Sequence, residues 1–283
     1  MKRQVSRPNF FSELVRLEQD ERTSVDDLDS RLFGTLGFDW HFRRGYVGLA
    51  GFRQPVRESL LSYTGLQDPY SGSLWGGAME SGGQLTSYLQ LVGKLGVFLE
   101  LTADHITGDR VADNDHVGAH VTFPITWKAS GFDSVSLGPY YFYDSWDLNL
   151  GRFTLGHGGY FSPQDFEETG LALQFVTEEA RRFTAYGRLA VAYQDFEKDP
   201  VPILPLAPDG RFWPEEEISG GTVVLSLKGL WRTAERFQLG GGVGYASSPR
   251  YDYYSVSLLG RWLFKARPAL FSTDLPGREV EYP

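Results

Sequence analysis

From Ser30 onward, apolar and polar residues alternate with a period of two. That is the pattern of strands whose two faces meet different surroundings. Asn114–Trp127 shows it most clearly. Val117, Ala119, Val121, Phe123, Ile125 and Trp127 fall on one side, and His116, Gly118, His120, Thr122, Pro124 and Thr126 on the other. The same alternation predicts strands at Ser30–Phe42, Tyr46–Glu58, Gln84–Val92, Lys94–Thr107, Asp133–Asp147, Glu168–Thr177, Arg182–Phe196, Ser219–Trp231, Glu235–Ser247 and Tyr251–Phe264. With Asn114–Trp127 these make eleven strands. Ahead of them, Phe10–Leu17 reads as a twelfth strand or, equally, within a helix over Ser12–Asp20, and Glu18–Asp29 as an acidic loop.

The connections sort by length. Arg43–Gly45, Gly93, Lys128–Phe132, Glu178–Arg181 and Arg232–Ala234 are short. The alternate ones, Ser59–Gly83, Gly108–Asp113, Leu148–Glu167 and Glu197–Ile218, are longer, with Ser248–Arg250 as the exception. Transmembrane barrels carry short turns at the periplasmic end and long loops outside. One set of strand faces ends in Trp40, Phe42, Trp127, Trp231, Trp262 and Phe264, as interfacial aromatic girdles do. The opposite set holds Asp39, Phe98, Glu100, Asp104, His120, Tyr140, Phe142, Trp146, Tyr186, Arg188, Lys228 and Arg261. So much inward charge is costly in a dry core and acceptable in a wet lumen.

The expected fold is therefore all-β, a transmembrane antiparallel up-and-down β-barrel of the outer-membrane type with about 12 strands. The expected boundaries are a polar segment at 1–29, the barrel at 30–264 and a tail at 265–283. If Phe264 ends a strand on the periplasmic side, parity makes the strand from Ser30 begin outside, and Phe10–Leu17 supplies the strand before it. Expected surroundings are the lipid of a Gram-negative outer membrane.

Composition narrows the function. The net charge of −9 argues against a nucleic-acid partner. The absence of cysteine removes disulfides, thiolate metal sites and thiol nucleophiles. No apolar run is long enough for a transmembrane helix, and no apolar core follows Met1-Lys2-Arg3-Gln4 to make a signal peptide.

Three further stretches carry a resemblance. They are Pro55–Gly72 with Trp75-Gly76-Gly77, then Thr107–His116, then Gly156–Gln164. In this order they resemble the C-terminal barrel domain of the bacterial cellulose synthase operon C-subunit family, over about Leu32 to Phe264. The resemblance implies an outer-membrane channel for the nascent cellulose or a similar glucan, without chemistry or a cofactor of its own. It also implies two partners, a periplasmic helical-repeat region and the inner-membrane cellulose synthase. The family wall has about sixteen strands, so this chain reads as a shortened or a smaller relative. Gly156, His157, Gly158, Gly159, Tyr160, Phe161, Ser162, Pro163 and Gln164 become a candidate gate or polysaccharide contact, with Tyr160 and Phe161 offering faces to sugar. The alternative is a structural or adhesive barrel without an open pore.

Other chemistry is less well supported. His105, His116 and His120 with Asp104, Asp109, Asp113 and Asp115 suggest a metal, but the histidines do not share a face and no ligand spacing is matched. Glu100 and Asp104 lie about 13 Å apart along a strand, too far for a glycosidase pair. His157, Ser162 and Asp165 have the letters of a triad but no scaffold to orient them. The expectation is that the domain is not an enzyme. Inward Phe98, Tyr140, Phe142, Trp146, Tyr186 and Tyr253 read equally as a sliding track for sugar or as lumen filling.

Overall fold

The computed structural model describes residues 7–16, 32–68, 72–179 and 181–275. In chain order the strands are β1 (Arg7–Arg16), β2 (Leu32–Phe42), β3 (Gly45–Pro55), β4 (Leu66–Gln67), β5 (Leu74–Val92), β6 (Leu95–Asp109), β7 (Asn114–Thr122) and β8 (Ile125–Ala129). They continue with β9 (Phe132–Trp146), β10 (Asp165–Thr177), β11 (Phe183–Lys198), β12 (Val201–Pro202), β13 (Phe212–Trp213), β14 (Glu216–Ala234), β15 (Phe237–Ser247) and β16 (Asp252–Trp262). A single helical turn, α1 (Leu60–Thr64), follows β3. The main sheet runs β1-β2-β3-β5-β6-β7-β9-β10-β11-β14-β15-β16, each strand antiparallel to its neighbour in this order. Twelve strands thus form one up-and-down wall. Its ends, β1 and β16, do not pair with one another among the described residues.

Three boundaries differ from the sequence reading. The segment before Gln84, read as loop, is strand from Leu74 onward. Four glycines among residues 76–83 hide its period, and pairing with β3 and β6 supplies the order that the side chains do not advertise. Asn114–Trp127 is not continuous. Pro124 has no N–H to give to the ladder, so β7 ends at Thr122 and β8 resumes at Ile125 against β9. The first strand is Arg7–Arg16, which decides between the two readings in favour of strand. Glu18–Asp29 lies outside the described residues.

Register puts alternate residues on common faces. One row crosses Asp39, Gly48, Thr86, Glu100, His120, Phe142, Glu168 and Gln194 as successive cross-strand partners. This face is covered by loops and carries four buried apolar clusters, and is termed inner here. A row on the other face crosses Leu137, Leu173, Leu189, Leu225, Tyr245 and Tyr254. Through the middle of the wall this outer face is apolar and open, while its long-loop end carries polar residues such as His105, Asp115, Glu167, Asp195 and Glu217. Leu36 is 68%, Leu171 57% and Leu258 92% exposed, and Val117, Val191, Leu225, Val243 and Val256 are exposed with them.

The chain beyond β16 turns back onto the inner face. Leu270 and Leu275 bury against Leu230, with Tyr186 and Leu259 beside them. The turn Ser272–Asp274 is held as the Ser272 N–H donates to Glu179 (2.7 Å) and the Phe271 N–H to Asp274 (2.9 Å). Arg267 pairs with the same Asp274.

Candidate functional site

The site forms where the long connections fold over the inner face. Ser59 caps α1 by accepting from the Ser62 N–H (3.0 Å), and Ser62 Oγ accepts from the Ser59 N–H (2.9 Å). The helix presents Leu61 to β5. A Cβ on Gly76 would lie 2.4 Å from the Leu61 carbonyl oxygen, and its φ is +103°. Only glycine lets strand and helix approach so closely there.

The glycine-rich connection 147–164 closes on this base. Asn114, at the start of β7, takes the place of a strand partner. Its Nδ2 donates to the Leu148 carbonyl and its Oδ1 accepts from the Leu148 N–H, both at 2.8 Å. The N–H groups of Gly158 and Gly159 both donate to the Leu150 carbonyl (3.1 and 3.0 Å). Ser162 Oγ accepts from the Leu150 N–H at 2.7 Å. Tyr160 is 2% exposed and packs with Leu150, Val56, Ala78, Ile106 and Val111. Its hydroxyl accepts from Asn114 at 3.2 Å. Burial pushes that phenol above its ordinary pKa. The connection after β11 lies across the other side. Thr154 donates to the Ile203 carbonyl (2.7 Å), and the buried His157 ring meets the Pro202 carbonyl through Nε2 (3.1 Å). Since a carbonyl only accepts, Nε2 carries the proton. Burial lowers the His157 pKa, which disfavours the charged ring. Arg152 lies over the Trp213 ring (4.9 Å) and pairs with Glu216 (2.8 Å), which Arg250 also meets (3.1 Å).

The gate candidates therefore separate. Gly156, His157, Gly158, Gly159, Tyr160, Ser162 and Pro163 are all buried within the clasp. Gln164 bridges, with Oε1 accepting from the Asp199 N–H at 2.8 Å. Phe161 alone turns out, 37% exposed. Its backbone N–H donates to Glu58 Oε2 at 2.5 Å, and its ring meets Trp146, Phe166 and Phe196 edge-on at 6.2, 5.7 and 5.4 Å. Lys198 Nζ lies 5.1 Å from the centre of the same ring. Glu58 is open to solvent on one side yet set deep among the loops. Burial, opposed by the Phe161 hydrogen bond, pushes its carboxyl up to about 7.

Beneath Phe161 is a cavity of about 280 Å³. His116 forms one wall. Nδ1 meets Asp104 at 2.7 Å and Nε2 meets Asp144 at 3.0 Å, so a protonated ring donates to both carboxylates. Trp146 stacks on His116 with centroids 4.3 Å apart. Next along the face, His120 sits edge-on to Phe98 (5.8 Å), Tyr140 (6.2 Å) and Phe142 (5.9 Å). The Tyr140 hydroxyl donates to Glu168 at 2.6 Å.

Phe98, Glu100, Asp104, His120, Phe142 and Trp146 are gathered at or beside this cavity by pairing with one another or through a shared neighbour. Asp39 sits on the same face, opposite Gly48 and three strands from Glu100. Tyr186, Lys228, Arg188 and Arg261 share the face toward the short-turn end, with Tyr186 opposite Lys228 and Arg261 opposite Gln238. The other chemical candidates come apart. His105 pairs with Asp115 (2.7 Å), and both are exposed, away from the inner-face histidines. His157 and Ser162 turn to different backbone partners. Among the described residues no group of three His, Cys, Asp or Glu is arranged to hold a metal.

Sequence reasoning left Glu58, His116, Phe166, Phe196 and Lys198 out of the site. The period-two pattern already set His116 beside His120 on one face. Glu58 and Lys198 carry no local signal, because only the meeting of connections distant in sequence brings them to Phe161.

A family described as "Cellulose synthase operon protein C C-terminus" matches residues 23–265. Cellulose synthase operon protein C of Xanthomonas axonopodis pv. citri (strain 306) is 29% identical over 270 residues, covering 85% of this chain and 18% of that protein. The protein of the same name from Pseudomonas fluorescens (strain SBW25) is 27% identical over 222 residues, covering 75% and 17%. That of Escherichia coli (strain K12) is 31% identical over 116 residues, covering 40% and 10%. The chain thus spans under a fifth of the length of these relatives. A match over residues 23–265, nearly the whole wall of strands, makes the chain a member of the cellulose synthase operon protein C C-terminal family.

Proposed function

We propose that this domain is part of an outer-membrane barrel through which cellulose or a related neutral glucan leaves a Gram-negative cell. The observation that carries the reading is the asymmetry of the wall. On strand after strand the outer face exposes Leu, Val and aromatic side chains, while the inner face holds Asp, Glu, His, Arg and Lys. A contiguous apolar surface of this extent is a liability in water and a requirement in hydrocarbon. Membership of the family and the names of the relatives, which carry the words cellulose synthase operon, support cellulose as the cargo in this reading. Family resemblance also implies about sixteen strands, so the reading closes the seam between β1 and β16 with further strands.

The domain binds and passes the polymer without cleaving it, and synthesis from below drives the movement. The partners in this reading are the nascent glucan, the surrounding lipid, a periplasmic helical-repeat region and an inner-membrane cellulose synthase. The clasp over residues 147–164 narrows the mouth and exposes Phe161 as its contact with sugar. Reconstitution in planar bilayers, with the further strands of the barrel present, tests this. The expected result is an ion conductance that falls when cellohexaose is added. A protein that inserts but neither conducts nor responds to cellohexaose would instead be a structural barrel without a pore.

A further inference from the structure

The cavity under Phe161 has more chemistry than a passive wall needs. Its size, about 280 Å³, lies just below the usual range of small-molecule sites. Trp146 and Phe161 lend it aromatic surface, and Glu58, Glu100, His116 and Asp144 line it with polar groups. His116 is already engaged by two carboxylates, Asp104 and Asp144, and so brings no spare positive charge to a ligand. Lys198 lies over the Phe161 ring outside the set of cavity-lining residues. The cavity therefore offers aromatic surface and hydrogen-bond acceptors in a field that is net negative.

Two demands on a ligand follow. It must present an apolar patch to the rings and hydroxyl donors to the carboxylates, which a hexose unit does. It must not be anionic, because a like charge set against carboxylates in a confined space costs several kcal/mol. We propose that this cavity is a sugar subsite that holds one uncharged hexose unit of the passing polymer and repels units bearing a carboxylate. The proposal rests on the export reading above and adds to it a place and a rule of selection. The rule is local to the mouth, since Lys228 and Arg261 lie toward the other end of the same face, and Arg188, whose charge reaches His120 at the cavity wall, is one cation against Glu58, Glu100 and Asp144.

Calorimetric titration of the purified protein at pH 8, where Glu58 is ionised, tests it. The probes are cellohexaose and a galacturonate hexamer. The native protein should bind the neutral oligomer at least about tenfold more tightly than the anionic one. Glu58→Gln with Glu100→Gln keeps one acceptor oxygen at each position and removes two charges. It should narrow the difference to about threefold or less, mainly by improved binding of galacturonate. Phe161→Ala, at an exposed ring, should weaken cellohexaose about fivefold or more with little change in the ratio. Equal affinities for the two oligomers, or a ratio unmoved by the double substitution, would overturn the subsite while leaving export intact. Absence of any cellohexaose binding or conductance block by the native protein would instead overturn the export reading itself.

Discussion

Adjacent residues in one loop have opposite fates. Tyr160 is a fixed part of the clasp, and Phe161 is the ring left open. Nothing in Gly-Gly-Tyr-Phe-Ser-Pro distinguishes them, because the choice is made by Asn114, 46 positions before Tyr160, and by Glu58, 103 positions before Phe161. The aromatic density of the stretch was legible, while the direction of each ring was not. Glu58 makes a prediction at this scale. Its folded pKa, about 7, stands above the ordinary 4.5, so the folded state holds the proton over that window. Its contribution is full below about pH 4.5 and is lost as pH rises through about 7. One open side makes the effect smaller than full burial would give. Chemical unfolding followed from about pH 4.5 to 8 should show the native protein losing stability relative to Glu58→Gln across this window. Parallel profiles for the two proteins would remove the role assigned to this carboxyl.

At the level of elements, the strand pattern in the sequence was sufficient wherever alternation was uninterrupted, as in β6, β11 and β14. It failed where backbone chemistry overrode side-chain pattern. The glycines in the first half of β5 erased its period, and Pro124 broke a run of alternation that looked continuous. The connections were legible by length but not by conformation. A glycine-rich segment suggests mobility, whereas the connection 147–164 is pinned along its length by Asn114, Leu150, Ser162 and Ile203. Its glycines serve close packing, which makes it a clasp held against the inner face rather than a free flap. Tyr160→Ala tests this by opening a cavity where the loop meets the wall. Loss of a buried aromatic side chain typically costs about 3–5 kcal/mol, and limited proteolysis should then cut within 147–164. An uncut loop in a protein of native stability would mean that the tyrosine is not what anchors it.

Across the whole molecule, one wall of twelve strands has an apolar outer face and a polar, loop-covered inner face. That division was readable from alternation alone, because residues i and i+2 share a face whatever the strand's neighbours are. The seam between β1 and β16 was not readable, since pairing across it depends on strand order and not on pattern. The central claim is that the outer face meets lipid while the inner face meets water. Because the chain has no cysteine, single cysteines can be placed at will. Leu101, Ala119 and Leu225 lie on the outer face, and Thr102, His120 and Lys228 on the inner. With each converted to cysteine, labelled with a nitroxide and reconstituted in liposomes, paramagnetic relaxation would read each site against dissolved oxygen and against a water-soluble nickel chelate. Preference for oxygen at the first three positions and for the nickel chelate at the second three is the predicted result. Equal access of the nickel chelate to both sets would contradict a membrane-spanning wall.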